Sequence, residues 1–208
     1  MRKNLFIAFE GIDGSGKSTQ VKLLSEALKK EGHKVYSTFE PTSSPIGAMI
    51  RNIFTGRLVM SHETIAGLFV ADRLDHLQNE VDGILKKLEE GYTVICDRSC
   101  FSSYAYQGAH VPMDWVIAAN SLSAKLLRPD VNIYIDMLPE VSMERIAKGR
   151  NSTELYETLD NLKAVKSKYE EAMELLKNEE KIARVNGNRS MEEVSVEIRE
   201  IISNLMNP

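Results

Sequence analysis

A compact group of residues with clear chemistry lies near the start of the chain. The stretch FEGIDGSGKSTQ, residues 9–20, follows an apolar run, and within it Gly11, Gly16, Lys17 and Ser18 satisfy the spacing GxxxxGK followed by serine. Glycines allow successive N–H groups to point inward, and the N-terminus of a following helix adds partial positive charge. Lys17 can then reach the β- and γ-phosphates of a nucleotide, and the Ser18 hydroxyl can bind Mg²⁺. The stretch predicts a site for a nucleoside triphosphate.

The whole loop is a candidate ATP contact, and its members are Gly11, Ile12, Asp13, Gly14, Ser15, Gly16, Lys17, Ser18 and Thr19. The alternative is a glycine-rich turn with an incidental lysine, but a predicted strand before the loop and a predicted helix after it favour the phosphate site. A GTP-dependent switch would also need a base-reading element such as Asn-Lys-x-Asp. The sequence contains none, which weakens the GTPase class.

Composition limits the class of protein further. The 208 residues are 43% hydrophobic, with no polar low-complexity stretch that would separate two halves, so we expect one domain over residues 1–208. The formal net charge of -4 argues against a nucleic-acid partner, because broad contact with phosphate backbones needs an excess of basic residues. We therefore expect any phosphate to be bound locally.

Cysteine and histidine usage argues against disulfides and zinc. Cys96 and Cys100 are too few for a disulfide framework and lack the further ligands of a zinc site, so we expect reduced thiols, with Cys96 buried in a strand. The four histidines show no ligand spacing and are expected at the surface or at helix ends. The N-terminal stretch has no small-residue cleavage site, and no apolar run approaches 20 residues. We expect a cytoplasmic protein that does not enter a membrane.

Short apolar runs alternate with longer amphipathic ones, which is typical of βαβ units on a parallel sheet. The predicted strands cover residues 4–10, 34–40, 92–97, 131–137 and 181–187. The predicted helices cover 17–31, 46–55, 62–90, parts of 102–126, 139–148, 154–178 and 190–206. The pattern predicts a doubly wound α/β fold.

Three further stretches narrow the prediction: FEPTSSPIG (39–47), LFVADRLDH (68–76) and DRSCFSSYAYQG (97–108). Together with the phosphate loop they resemble the thymidylate kinase family, in order and spacing, over essentially the whole chain. The resemblance implies a three-layer P-loop NTPase fold, with a five-stranded parallel sheet flanked by helices and a short lid at about 145–156. It also implies transfer of the γ-phosphoryl group of ATP to dTMP with Mg²⁺, in a homodimer.

The resemblance gives roles to three charged residues. Asp97 and Arg98 follow a predicted strand, at the sheet edge where ligands bind in open α/β folds. Arg98 would contact the dTMP phosphate and bridge toward the transferred group, and Asp97 would support Mg²⁺ through its waters; the alternative is a strand-end ion pair. Asp13 would repel a triphosphate if it pointed into the loop, so we expect it to face the other substrate, where the family places an acid near the sugar 3′-hydroxyl and the acceptor phosphate. A helix-start cap is its alternative.

Residues on two predicted helices are candidates for base recognition. Phe69 and Arg73 are four apart and share one helical face, and the resemblance assigns Phe69 to stacking on thymine and Arg73 to its O4. Core packing is the alternative for Phe69. The second group consists of Ser102, Ser103, Tyr106 and Gln107, of which the resemblance assigns Ser103 and Gln107 to the base and Tyr106 to excluding a ribose 2′-hydroxyl. Helix capping is the alternative for the serines.

The FEPT stretch and the helix after it supply three more acceptor-side candidates. Pro41 matches a family position that lines the acceptor pocket, and Glu40 would fix its loop. Arg51 falls where an arginine often grips the monophosphate, with an exposed helix position as its alternative.

The predicted lid supplies the remaining cation. Some family members carry an arginine between the positions of Asp13 and Gly16, where this chain has glycine and serine. The other family variant supplies the cation from the lid, which here offers Arg145, Lys148 and Arg150. Arg150 is the preferred catalytic candidate and Lys148 a candidate ATP contact. The chain departs from the family pattern at Leu155, where arginine is frequent, so the basic residue that closes on ATP stays open.

Two other functions remain compatible with the sequence. One is a phosphotransferase of the same fold that acts on a different nucleoside monophosphate or on a nucleoside. The other is a noncatalytic regulator that binds ATP without transferring phosphate.

Overall fold

The computed structural model describes residues 4–149 and 155–206. Within these ranges the strands are β1 (Phe6–Glu10), β2 (Val35–Phe39), β3 (Thr93–Asp97), β4 (Val131–Asp136) and β5 (Ile182–Asn186). They form one sheet in the order β2-β3-β1-β4-β5, and every neighbouring pair is parallel. The five predicted strands are confirmed, each shorter than predicted by one to two residues at one or both ends.

The helices are α1 (Lys17–Lys30), α2 (Pro45–Phe54), α3 (His62–Gln78), α4 (Ile84–Glu89), α5 (Cys100–Tyr106), α6 (Met113–Ala119), α7 (Ser121–Leu126), α8 (Pro139–Gly149), α9 (Leu159–Leu176) and α10 (Met191–Met206). Among these helices, none is long and apolar enough to cross a membrane.

Helices cover both faces of the sheet. Because successive side chains of a strand point to opposite faces, Ile7 and Phe9 of β1 face one side, where they pack with apolar residues of α1 and α10. Phe6 faces the other side and packs against α3 and α4. Both faces of β1 are therefore buried, as expected for a central strand of a parallel sheet. This is the three-layer α/β architecture that the sequence predicts.

The register of the sheet brings the site together. Phe9 of β1 is aligned with Asp97 of β3 and with Ile133 of β4, so these strands end at the same edge. The phosphate loop leaves this edge after Glu10, and Arg98 leaves it after Asp97. Ligands bind outside the carboxyl ends of the strands in such sheets, so this edge is where the candidate residues meet.

The prediction of a single helix over residues 62–90 is wrong, because the structure has two helices there, α3 and α4. Asn79 ends α3 with an extended backbone, and its side-chain oxygen accepts hydrogen bonds from the backbone N–H groups of Val81 at 3.0 Å and Asp82 at 3.4 Å. An asparagine side chain that binds nearby N–H groups competes with helix hydrogen bonding. The chain therefore turns before α4 begins.

The long helix predicted from residue 154 begins later, at Leu159. The side chain of Thr158 accepts a hydrogen bond from the backbone N–H of Asn161 at 3.3 Å, which caps the new helix. Residues 155–158 are thus a turn between α8 and α9, and Tyr156 and Glu157 within it are both buried.

Candidate active site

The loop between β1 and α1 has the backbone that a phosphate site requires. Gly14 and Gly16 have φ values of 74° and 95°, a left-handed conformation that favours glycine. A Cβ on Gly14 would lie 2.8 Å from the carbonyl oxygen of Ser142, so the loop packs directly on α8. The ammonium group of Lys17 donates to the carbonyl oxygens of Gly11 and Ile12, both at 2.9 Å, and lies across the loop where phosphates would sit.

Lys17 lies in an unusual electrostatic environment. The side chain is buried, and burial lowers the pKa of its ammonium to about 8, with Arg98 acting in the same direction. The nearby carboxylates of Asp97, Asp13 and Glu10 oppose this shift. A bound polyphosphate adds negative charge beside the ammonium and therefore favours its protonated form.

The loop opens into a cavity of about 640 Å³, which we call the donor cavity. It brings together most of the predicted ATP contacts with Asp97 and Arg98. Its lining consists of Asp13, Gly14, Ser15, Gly16, Lys17, Ser18, Thr19, Gln20, Asp97, Arg98, Arg145, Ile146, Gly187, Arg189, Met191 and Val194. Gly11 and Ile12 are buried beneath it and contribute the carbonyls that hold Lys17.

Ser18 and Asp97 together suit a magnesium ion. The Ser18 hydroxyl donates to Oδ2 of Asp97 at 2.5 Å, and both residues line the donor cavity. The other carboxylate oxygen of Asp97, Oδ1, is buried without a hydrogen-bond partner within the described part of the chain. A hydroxyl beside a carboxylate is an all-oxygen donor set of the kind that Mg²⁺ prefers, with waters and phosphate oxygens completing its shell. The residues present therefore fit the expected ion.

Arg98 does not pair with its neighbour Asp97, which rules out the simple strand-end pair. Its guanidinium forms an ion pair with Asp13 and donates to Ser102 Oγ at 3.3 Å. Its φ of 75° is unusual for a residue with a side chain, and such strained backbone is most often found at functional sites. The backbone thus turns sharply after β3 and directs Arg98 toward the phosphate loop.

The Asp13 carboxylate contacts Arg98 and Tyr106, and the residue lines both the donor cavity and the cavity on the acceptor side. Besides Arg98, its carboxylate accepts a hydrogen bond from the Tyr106 hydroxyl at 2.8 Å, while its backbone N–H donates to the same hydroxyl at 2.9 Å. It is not a helix cap, because the N-cap of α1 is Gly16. Burial, followed by the charge of Asp13, raises the pKa of Tyr106 well above its ordinary value, so the phenol keeps its proton.

A second cavity of about 250 Å³, the acceptor cavity, adjoins the first. Its walls combine aromatic side chains with polar and charged ones, and eight of the predicted acceptor residues line it. The full lining is Asp13, Phe39, Pro41, Arg51, Phe54, Phe69, Arg98, Ser102, Tyr106, Gln107, Tyr156 and Glu157. Phe69 also packs on the core residues Ile50, Ile53 and Ile65. It therefore belongs to the core and lines the acceptor cavity at the same time.

Two of the predicted base-recognition residues, Ser103 and Gln107, carry an unpaired buried oxygen. Oγ of Ser103 and Oε1 of Gln107 are buried without hydrogen-bond partners among the described residues. Gln107 lines the acceptor cavity, whereas Ser103 does not. Buried polar groups in proteins nearly always have partners, so the Gln107 oxygen at the cavity is suited to accept a hydrogen bond from a ligand. Ser102, in contrast, donates to Glu10 at 2.6 Å, and neither serine caps α5.

Comparison with known proteins agrees with this geometry. The model of the family described as thymidylate kinase matches residues 9–198. The chain belongs to the thymidylate kinase family. It is 34% identical to a thymidylate kinase of Caldicellulosiruptor saccharolyticus, with 98% of each chain covered. It is 37% identical to a probable thymidylate kinase of Pyrococcus horikoshii (94% of each chain) and 36% identical to a thymidylate kinase of Shouchella clausii (99% of this chain and 98% of the relative).

The thymidylate kinase resemblance assigns Arg73 to the base, but Arg73 does not line the acceptor cavity. It is 2% exposed, and its guanidinium donates to Glu40 through Nε at 3.0 Å and Nη2 at 2.6 Å. Nη2 also donates to the Ser99 carbonyl at 3.1 Å, and Nη1 donates to Asn120. These bonds use four of the five guanidinium N–H groups and leave one on Nη1. Contact with a base stays a prediction that depends on this N–H.

Glu40 holds Arg73 rather than only its own loop. It is buried, and its second oxygen accepts from His76 Nδ1 at 3.2 Å, while His76 Nε2 lies 2.7 Å from Thr38 Oγ1. His76 lies in the last turn of α3, one of the two kinds of position expected for the histidines, but it is buried, and pairing with Glu40 compensates this burial. Arg51 is half-buried in the acceptor cavity rather than on an exposed helix face.

The lid prediction falls partly outside the described residues, and Arg150 lies there. Of the other basic candidates, Arg145 lines the donor cavity and its Nη2 donates to the Gly187 carbonyl at 3.3 Å. Lys148 is exposed on α8 and does not line either cavity.

Sequence reasoning missed Glu10, which lies directly under the site. It is buried and accepts hydrogen bonds from Ser99 N at 2.8 Å, Ser102 Oγ at 2.6 Å and Tyr169 OH at 3.1 Å. Burial raises the pKa of Glu10, although these donors oppose the shift. The glutamate thereby holds the residues that directly follow Arg98 and connects them to Tyr169 of α9. The sequence feature that could have pointed to this role is a single glutamate at the end of an apolar strand.

Proposed function

We propose that the chain transfers the γ-phosphoryl group of ATP to dTMP and yields ADP and dTDP. The observation that carries this proposal is the arrangement of the two cavities, which meet at Asp13 and Arg98. A polyphosphate held by the loop and a monophosphate held on the aromatic side would meet end to end at this boundary. Family membership supports thymidylate as the acceptor.

In the proposed reaction, an oxygen of the dTMP phosphate attacks the γ-phosphorus of ATP while the bond to the β–γ bridging oxygen breaks. The transferred group carries its charge on the equatorial oxygens, so catalysis depends on positioning and on cations. Lys17 would bind the β- and γ-phosphates, and Arg98 would hold the attacking and transferred groups together. Mg²⁺ beside Ser18 and Asp97 would neutralise charge on the ATP phosphates.

The acceptor cavity supplies orientation. Phe69 would stack on the base, Gln107 and Ser103 would offer their unpaired oxygens to its polar edge, and Arg51 would bind the monophosphate. Tyr106 lies against Asp13 and would occupy the space of a 2′-hydroxyl. We further propose that residues 145–156 act as a lid within one domain.

We propose a homodimer in the cytoplasm, following the family resemblance. Trp115, Leu122 and Leu126 on α6 and α7 are 43%, 54% and 37% exposed and are available for a subunit contact. The cysteines are free thiols, as reducing compartments favour. Sedimentation equilibrium gives the subunit number directly, and a monomer at micromolar concentration would overturn the dimer.

The test is ADP release from ATP and Mg²⁺ with dTMP, dUMP, dCMP, AMP or thymidine as acceptor. We expect turnover with dTMP, weaker turnover with dUMP and little with the others. A methyl group in an apolar pocket is worth about 1–3 kcal/mol, so dUMP should react roughly 10- to 200-fold less efficiently. Higher turnover with another acceptor would show that this acceptor, and not dTMP, is the substrate. ATP binding without acceptor-dependent turnover would support a noncatalytic regulator.

A further inference from the structure

A carboxylate that the family resemblance leaves without a role is buried beside the acceptor cavity. Asp72 of α3 has no exposed surface. Its Oδ2 accepts from the backbone N–H of Thr42 at 2.7 Å, and its Oδ1 accepts from the hydroxyls of Thr42 at 2.6 Å and Ser44 at 2.9 Å. One side chain of α3 therefore binds three donors in the loop between β2 and α2.

The loop is tightly folded around these bonds. Ser44 caps α2 by accepting from Gly47 N at 3.1 Å, and Thr42 Oγ1 accepts from Ser44 N at 3.1 Å. A Cβ on Gly47 would lie 1.9 Å from the Thr42 carbonyl oxygen, so the loop and the first turn of α2 touch directly. With its donors directed to Asp72, the loop presents its carbonyl oxygens on another side.

Those carbonyl oxygens bind Arg51. Its Nη1 donates to the carbonyl oxygen of Pro41 at 2.9 Å and also to that of Thr42. Both Pro41 and Arg51 line the acceptor cavity, whereas Asp72 does not. The contacts thus run from Asp72 through the loop to Arg51, a cation that lines the acceptor cavity.

We propose that Asp72 is a positioning residue for acceptor binding, because it shapes the 41–44 loop so that its carbonyls orient Arg51 toward the acceptor phosphate. This inference rests on the proposed function. Asp72 itself touches neither substrate, and it acts on the affinity for the acceptor nucleotide rather than for ATP.

The chemistry requires a carboxylate at this position. The Thr42 N–H can only donate, and the hydroxyls of Thr42 and Ser44, which also accept from Ser44 N and Gly47 N, both donate their O–H to Asp72. An asparagine would have to turn its NH₂ group toward one of these donors and leave a buried donor unpaired. Loss of a hydrogen bond to a charged group costs about 1.5–3 kcal/mol, which corresponds to roughly 10- to 100-fold in affinity when it is transmitted to binding.

The experiment compares Asp72→Asn with the parent and with Asp75→Asn, an exposed carboxylate on the same helix. We expect the KM for dTMP to rise roughly 10- to 100-fold in Asp72→Asn, with kcat and the KM for ATP changed less than about threefold. Asp75→Asn should match the parent. Equal increases of both KM values, or an unchanged KM for dTMP, would overturn the inference.

A double-mutant cycle separates positioning from general stability. If Asp72 acts through Arg51, adding Asp72→Asn to an Arg51→Ala variant should raise the KM for dTMP by less than about threefold more. Full additivity would overturn the proposal that Asp72 acts through Arg51.

A second variant covers the case in which Asp72→Asn does not fold. Thr42→Val removes one hydroxyl partner of Asp72 and should raise the KM for dTMP less strongly. If the wild-type protein turned over no acceptor, the proposed function would fail together with this inference, whereas an unaffected Asp72→Asn with an active parent would overturn the inference alone.

Discussion

Asp13 and Arg98 form an ion pair at the boundary between the two cavities, and both residues line each of them. Asp13 belongs to the phosphate loop and Arg98 to the turn after β3. The Tyr106 hydroxyl of α5 donates to the Asp13 carboxylate and holds it in place. A guanidinium held in this way can reach groups on either side without a large rearrangement. The pair therefore marks the place where donor and acceptor would meet.

Removal of Arg98 should affect the chemical step. We expect Arg98→Ala to lower kcat by roughly 10²- to 10³-fold, because a cation that stabilises charge in the transition state is lost. Steady-state kinetics at saturating ATP and dTMP gives the value. Arg57→Ala, at an exposed position after α2, is the matched control and should behave as wild type. A kcat within threefold of wild type for Arg98→Ala would show that another residue supplies the catalytic cation.

Lys17 should give the activity a pH dependence. Burial, assisted by Arg98, lowers the pKa of Lys17 to about 8, and only the protonated ammonium attracts phosphates. Since kcat/KM reports the free enzyme, kcat/KM for ATP should be constant at lower pH and fall as pH rises through about 8. The profile of kcat should fall at higher pH, because bound ATP raises this pKa.

Substitution of the same lysine tests the assignment of the loop. Lys17→Ala should abolish turnover while circular dichroism shows an intact fold. Retained activity, or a kcat/KM profile without a limb between pH 7 and 9.5, would contradict the role given to Lys17.

The Ser18 and Asp97 pair should set the requirement for magnesium. We expect Asp97→Asn to raise the Mg²⁺ concentration for half-maximal activity roughly tenfold, because groups that orient metal ligands and waters typically contribute 10- to 100-fold. Ser18→Ala should act in the same direction. A Mg²⁺ titration at saturating nucleotides measures the effect, with the exposed Asp82→Asn as control. An unchanged titration in both site variants would place the ion elsewhere.

Tyr106 should decide between deoxyribose and ribose. Its hydroxyl is held by Asp13 and its ring lines the acceptor cavity. Tyr106→Ala should reduce the preference in kcat/KM for dTMP over the corresponding ribonucleotide by roughly tenfold or more, since steric exclusion is removed. Tyr106→Phe keeps the ring and should retain most of the preference. Equal preferences in wild type and the alanine variant would assign the discrimination to another residue.

Local patterns were sufficient for the sheet and the loop. Apolar runs and the glycine spacing act over a few residues, and the parallel register then brings Asp97 beside Ser18, 79 residues earlier. The break at Asn79 could not be predicted from hydrophobic periodicity, because it depends on one side chain binding two nearby N–H groups. Apolar residues continue on both sides of it.

Long-range polar contacts were not predictable from spacing. Arg73 was expected to offer its donors to a base, but Glu40, Asn120 and the Ser99 carbonyl take most of them, and these groups come from three other segments. Asp13 and Arg98 were each assigned to substrates, yet their mutual pairing follows only from the fold. Carboxylates such as Asp72 have no local signature, since their partners lie about 30 residues away.

The proposed lid is expected to supply a further cation, and Arg150 is the residue to change first. The phosphate loop has no arginine, so the charge on the transferred group must be balanced partly from elsewhere. Arg150→Ala should lower kcat by roughly 10³-fold with a much smaller change in KM, as for an arginine that acts mainly in the transition state. Lys148→Ala and Arg145→Ala are the comparisons, because Lys148 is exposed and Arg145 already lines the donor cavity. An unchanged kcat in Arg150→Ala together with a large loss in Arg145→Ala would assign the role to Arg145 of α8. Its side chain already lines the donor cavity beside the phosphate loop, so no movement of the proposed lid would be needed.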